Sequence, residues 1–262
     1  MDIFGEYGLS FLLLMGLFAF IAGFVDAAVG GGGLIQIPAL LISFPETPLA
    51  SLFGTSKIAG LSGTSMAAFK YAQKVRFDLK LLLIVSFFSL LAAYFGAKAV
   101  VYIDTKTLKP FILLLLIGIA IYTFIKKDLG TVASKNLSFR LQALYGTLLG
   151  ISIGFYDGFF GPGTGSFLVF GFVLLIGFDF LKASAYAKVI NCVTNVSALY
   201  VFIKNGNYLL ELAIVMAVFN VAGNYFGSTM AIKKGNGFIR IFFLVIVSVL
   251  ILRYAMDVFQ LG

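Results

Sequence analysis

The chain has 262 residues, 61% of them apolar and 11% charged, and a mean hydropathy of +1.05. A water-soluble domain carries about 25% charged residues, so this composition excludes one. A single cysteine, Cys192, and no histidine exclude an intrachain disulfide, a histidine-held haem or metal, and any Ser-His or Cys-His nucleophile pair.

The first apolar segment, residues 10–29, follows Asp2 and Glu6 without a basic leader region or a cleavage site, so it reads as a retained span and not a signal peptide. It runs into four glycines, Gly30, Gly31, Gly32 and Gly33. Each costs about 1 kcal/mol against alanine inside a helix, which predicts a break. Opened backbone in a bilayer is tolerated only against protein or a watery cavity, so the break points inward. The apolar piece 34–44 is too short to cross alone as a straight helix and predicts a half-helix or re-entrant element. A helix restarting near Leu34 would aim free N–H groups and a positive dipole end at the break, as anion-binding helix N-termini do.

Pro45, Glu46 and Pro48 mark a loop. A span over 49–71 carries Lys57 in its interior, a basic loop holds Lys74 and Arg76, and two ordinary spans over 79–101 and 108–125 flank a loop with Asp104 and Lys106. The longest polar stretch, 126–140, is the natural joint between a first half, 1–130, and a second, 131–262. Beyond it come segments 141–156, a second glycine motif at 154–166, then 167–178, 181–203 with Lys188 inside, 208–232 and 239–258. In the second motif, Pro162 suits a first helical turn and Thr164 or Ser166 could cap. Segments of about 20 residues are spanning helices, where barrel strands would be about 10 and alternating. The expected fold is therefore an all-α polytopic membrane protein.

The two halves read as repeats within one membrane domain. At a constant offset of 131, Gly23-Phe24 meets Gly154-Phe155, Asp26 meets Asp157, Gly30 meets Gly161, Lys57 meets Lys188, and Tyr94-Phe95-Gly96 meets Tyr225-Phe226-Gly227. Internal repeats in a polytopic chain are a transporter signature, with the solute site where the repeats meet. Charge counting orients them. Five crossings per half invert the repeats and collect 12 Lys and Arg on one side against five on the other; four crossings make them parallel, with a 10 to 7 split. The stronger bias favours inverted repeats. It also reads the net charge of +8 as topology signal, with no nucleic-acid partner.

Lys57, Lys188, Asp26 and Asp157 lie deep in apolar segments, where each costs about 2.5–3.5 kcal/mol on insertion scales. Either they pair and lock the helices together, or the lysines bind an anion beside the glycine N–H groups while the aspartates carry a proton or repel the wrong ion. Pairing alone would leave the glycines unexplained, which favours the second reading. Lys188, Asn191 and Asn195 share one helix face at i, i+3 and i+7; Lys57 and Thr64 repeat the first and last of these, and interhelical hydrogen bonding is the alternative role for the amides and threonine. On this reading Lys188→Ala abolishes transport and leaves the fold intact. Gly96 and Gly227 are expected to permit close helix packing.

The run Gly-Gly-Gly-Gly-Leu-Ile-Gln-Ile-Pro at 30–38, the segment Gly54-Thr55-Ser56-Lys57 and the second glycine motif resemble the TauE/SafE sulfite-exporter family, also called the 4-toluene sulfonate uptake permeases. The resemblance spans both halves. It implies a secondary transporter, an exporter, of sulfite or related sulfur oxyanions and organosulfonates across the bacterial inner membrane, with no cofactor or metal. The family's glycine motifs carry over to Gly30, Gly31, Gly32 and Gly33 and to Gly161, Gly163 and Gly165, with Pro162 standing where the first half has Gly31. The expected solute ligands are these glycines with Lys57, Thr64, Thr164, Ser166, Lys188, Asn191 and Asn195, and Asp26 and Asp157 couple charge. The expected partners are a small anion, the lipid bilayer and, compatible with the sequence, further copies of the chain. A passive anion channel and a non-transporting membrane scaffold are the rival readings; an enzyme is the weakest, for want of a nucleophile or metal site.

Overall fold

The computed structural model describes residues 7–103, 135 and 137–234, with positions 110, 113, 114, 117, 118, 121, 248, 252 and 256. The expected spans at 108–125 and 239–258 fall largely outside them. The described residues form helices with no strand: α1 Leu9–Val29, α2 Gly33–Ser43, α3 Leu49–Ala72, α4 Leu79–Val101, α5 Phe139–Phe159, α6 Thr164–Gly171, α7 Phe180–Lys204 and α8 Leu210–Lys234. The starts of the last four, Phe139, Thr164, Phe180 and Leu210, follow Leu9, Gly33, Leu49 and Leu79 at a nearly constant interval.

Gly30 stops α1. Its φ of 77° is the left-handed conformation glycine reaches without a Cβ penalty, and its N–H bonds Asp26 O at 2.8 Å, a common helix ending. The chain then doubles back. The ring of Phe44, just past α2, lies 5.5 Å from that of Phe11 near the start of α1, and Ser43 Oγ meets Met15 Sδ. The 11 residues of α2, at about 1.5 Å each, span only about 17 Å, so the re-entrant form of the short element is the one adopted. The second elbow behaves alike: α6 continues through a π turn, Phe172–Ile176, and returns along α5, so that Gly146 of α5 faces Ile176. Gly177, φ 82°, ends it, and Lys135 Nζ donates to Leu174 O at 2.7 Å. Asp78 and Asp179 cap α4 and α7, accepting N–H bonds from Lys80, Leu81 and Lys182.

Each elbow packs against the other half of the chain: α1 lies along α8, and α5 along α4. α3 and α7 meet antiparallel, Lys57 touching Asn195 while Ser65 faces Cys192. α3 starts beside Asn207 and Leu209, at the end of the bundle where α7 finishes, and ends beside Asp78, where Tyr186 of α7 bonds its backbone. That second end gathers Lys70, Lys74, Arg76, Lys80, Arg140 and Lys182 and is called the basic end below; the other is the sparse end. Among the described residues four helices, α1, α4, α7 and α8, are long and apolar enough to cross a membrane. α3 is as long but less apolar, because Thr55, Ser56, Lys57 and Thr64 on its length are turned inward and buried. Leucines and phenylalanines such as Leu83, Phe87, Phe95, Leu148 and Phe226 cover the outside, an apolar coat suited to lipid.

Gly96 and Gly227 do permit close packing. A Cβ at Gly96 would strike the carbonyl of Phe155, and one at Gly227 the carbonyl of Phe24. Gly227→Val is accordingly expected to lower stability by about 1–3 kcal/mol, the range for overpacking. Thermal unfolding in detergent measures it, with Gly60→Ala, at a position with open space for a Cβ, as the neutral control.

Candidate functional site

The two elbows meet inside the bundle. Ser166 N–H donates to Gly30 O at 3.3 Å, Gly30 abuts Gly165, and Gly33 abuts Pro162. No side chain fits between the strands of backbone there, which is the tertiary reason for glycine at 30 and 165. Tyr156 Oη donates to Pro162 O at 2.5 Å and holds the second elbow closed.

Both buried ion pairs cross between the halves. Lys57 Nζ of α3 lies 3.2 Å from Asp157 Oδ2 of α5, and Lys188 Nζ of α7 lies 2.8 Å from Asp26 Oδ2 of α1. Each third helix thus anchors the elbow of the opposite half. Lys57 also donates to Asn195 Oδ1 at 3.0 Å, and Lys188 to the backbone carbonyl of Asp26. Thr64 Oγ1 donates to Asp26 Oδ2 at 3.1 Å, and Thr164 Oγ1 to Asp157 Oδ1 at 2.9 Å. The ammonium groups are therefore not free positive charges, and the two pairs are charge-matched. The expectation for Lys188→Ala changes with it: alanine there strands the Asp26 carboxylate, so loss of fold and loss of transport would coincide.

Beside the pairs lies a cavity of about 60 Å3. One buried water needs about 10–15 Å3 by the same measure, so there is room for a few waters or one small solute. Of the expected solute ligands, Gly30, Gly32, Gly33, Gly161, Gly163 and Gly165 border it, as do Lys57, Thr64, Asn191, Asn195, Asp26 and Asp157. Gly31, Thr164, Ser166 and Lys188 stand behind this wall. Several N–H groups expected to face a solute are occupied: those of Gly30 and Gly161 bond Asp26 O and Tyr156 O, those of Leu34, Ile35 and Gln36 bond Gly31 O and Gly32 O, and those of Thr164 and Phe167 bond Gly161 O and Gly163 O. Neither Thr164 nor Ser166 caps α6, whose N-cap is Gly163, φ 81°. The rest of the wall includes Gln36, Ser56, Phe53, Phe160, Gly60 and Asn220.

Asn220 is a polar wall residue that the sequence did not single out. Its Nδ2 donates to Gln36 Oε1 and to Ala19 O, both at 3.0 Å, and Gln36 Nε2 donates to Ser56 O at 3.0 Å. Asn224 and Ser228 continue this buried amide line along α8. The signal was present as two amides at i and i+4 in a segment otherwise apolar enough to span, polar residues that a lipid-facing helix would not carry. Among the described residues no cluster of Cys, Asp and Glu could hold a metal ion.

The family model described as sulfite exporter TauE/SafE matches residues 15–254. A protein of Sinorhizobium sp. named "Probable membrane transporter protein ORF9" is 39% identical over 252 residues, covering 95% of each chain. Relatives carrying the same descriptive name in Haemophilus influenzae and Escherichia coli are 34% and 32% identical, covering 90% and 94% of this chain and 91% of each relative. No solved structure matches. A match across nearly the whole chain, elbows and spans included, makes this protein a multi-pass member of the TauE/SafE sulfite exporter family of membrane transporters.

Proposed function

We propose that the protein is a secondary carrier of a small anion, sulfite or a related sulfur oxyanion or organosulfonate, across the bacterial inner membrane, with the cavity between the elbows as the solute site. The observation that carries this is the void itself, walled by broken-helix backbone, the Lys57–Asp157 pair, the Asp26 carboxylate and the amides of Gln36, Asn191, Asn195 and Asn220. A structural lock would need the ion pairs alone; a cavity with polar walls costs packing and adds nothing to a lock. The antiparallel meeting of α3 and α7 supports reading the halves as an inverted duplication, and the basic end then faces the cytoplasm.

Charge matching bears on coupling. With each ammonium already paired, an anion entering alone would leave net negative charge in a low-dielectric interior, which is costly. The solute is therefore taken up together with a proton, carried by Asp26 or Asp157. Lys188, Tyr71 and Cys192 face Asp26, and Lys57 and Tyr156 face Asp157. Purified protein tested by thermal shift against sulfite, sulfate, thiosulfate, sulfoacetate, taurine and carboxylates should be stabilised by a sulfur anion, by about 2.7 kcal/mol at a hundredfold excess over the dissociation constant. In weak buffer the same addition should take up a proton. No stabilisation by any of these anions would defeat the reading; stabilisation without proton uptake would defeat the coupling alone.

A further inference from the structure

The two ends of the cavity have different surroundings. Towards the sparse end stands Phe53, one turn before Lys57 on α3, and its ring meets that of Phe160 at the tip of the second elbow, 5.9 Å and 71° apart. Both rings border the cavity and are 1–2% exposed. Tyr156 backs Phe160 edge-on at 6.0 Å, so the seal is an interlocked aromatic layer. Towards the basic end, beyond Asp26 and Lys188, the layer is Ala27, Ala67 and Ala185 with Tyr71, whose hydroxyl bonds Ala27 O at 2.9 Å. By the offset that matches Lys57 with Lys188, the counterpart of Phe53 is Ser184, a buried hydroxyl with no hydrogen-bond partner. Where one end has a ring, the other has an unsatisfied polar group.

We propose that the Phe53–Phe160 pair is the seal of the cavity towards the sparse end, and that the two rings part whenever a solute passes on that side. The pair is attached to parts that move relative to each other if the halves rock: Phe53 belongs to a third helix and Phe160 to the opposite elbow, held together by the Lys57–Asp157 bridge one turn deeper. Release of that bridge and parting of the rings are one displacement. Apolar rings also exclude ions and water from a closed path, which the alanine layer with its stranded hydroxyl does less well. This inference rests on the cavity being the solute site.

Access to the cavity tests it without knowledge of the solute. In a Cys192→Ser background, Gly60→Cys places a thiol on the cavity wall where there is open space for a side chain. An anionic, membrane-impermeant methanethiosulfonate is applied to either face of sealed vesicles, and the labelling rate is read. With both rings intact, labelling from the sparse face should be slow. Phe53→Ala or Phe160→Ala should speed it about tenfold, the scale of one lost aromatic pair, and leave the basic-face rate unchanged. Phe53→Leu, which keeps apolar bulk but no ring, carries the same test should the alanine variants fail to fold, with a smaller acceleration. Phe172→Ala, in the separate cluster around Tyr186, controls for general loosening and should change nothing. Equal labelling from both faces with the rings intact, no acceleration in the ring variants, or equal acceleration in Phe172→Ala would each overturn the seal. Ring-dependent labelling in a protein that no anion stabilises would instead refute the solute reading and leave the seal standing.

Discussion

Lys57→Ala should destabilise the protein by about 3–5 kcal/mol, the cost of breaking a buried pair by deleting one partner. The Asp157 carboxylate keeps one hydrogen bond, from Thr164, but loses its counter-charge, and Oδ2 has no hydrogen bond to fall back on. Asn195 Oδ1 loses its donor at the same time. Adding sulfite or another small anion should not restore the midpoint, because it would bring a second negative charge beside Asp157. The neutral double variant Lys57→Met with Asp157→Asn should recover most of the stability, since removing both charges of a buried pair is often close to neutral, yet remain inactive in flux. Thermal unfolding of the three proteins, with and without anion, reads the stabilities, and anion uptake into sealed vesicles reads the flux. Full stability in Lys57→Ala would mean that the bridge to Asp157 carries no weight in the fold.

Asp157→Asn breaks the same bridge from the other side and should behave differently. The variant leaves the Lys57 ammonium buried beside the cavity with neutral acceptors such as Asn195 Oδ1 and no counter-charge, so it too should lose about 3–5 kcal/mol without ligand. Here a small anion can take the place of the missing carboxylate. Sulfite, sulfate or chloride should therefore raise its unfolding midpoint more than they raise that of the unaltered protein, and proton uptake on binding should fall. Rescue confined to Asp157→Asn marks Lys57 as an anion ligand; equal indifference of both variants to anions would reduce the bridge to a helix lock. Both lysines are paired in the structure, and pairing alone is what a lock would show, so the anion response is what separates the two roles.

How much of this was legible follows from the kind of force that positions each residue. Helix positions were readable because apolar runs of about 20 residues and the cost of four glycines are local properties of the chain. Segments 10–29, 49–71, 79–101 and 181–203 accordingly coincide closely with α1, α3, α4 and α7. The depth of Lys57, Lys188, Asp26 and Asp157 was legible for the same reason. Their partners were not. That Lys57 meets Asp157 and not Asp26 is decided by α3 and α7 crossing antiparallel and each reaching the other half's elbow. The first N–H groups of the restarted helices were expected to be free because a helix start leaves them unpaired, but those of Leu34, Ile35, Gln36, Thr164 and Phe167 bond the carbonyls of Gly31, Gly32, Gly161 and Gly163. Asn220, Phe53 and Phe160 escaped notice because an amide or a phenylalanine in an apolar helix looks the same whether it faces a neighbour or a cavity.

By itself the sequence determined that the chain is helical, lies in a membrane, breaks at two glycine motifs and carries four charges too deep for lipid, since hydropathy, backbone propensity and burial cost act residue by residue. Only the tertiary structure decided that the elbows face each other, that the charges cancel in crossed pairs, and that a cavity of about 60 Å3 remains between them. Those outcomes depend on which helices pack together, and packing is settled by contacts between residues more than a hundred positions apart.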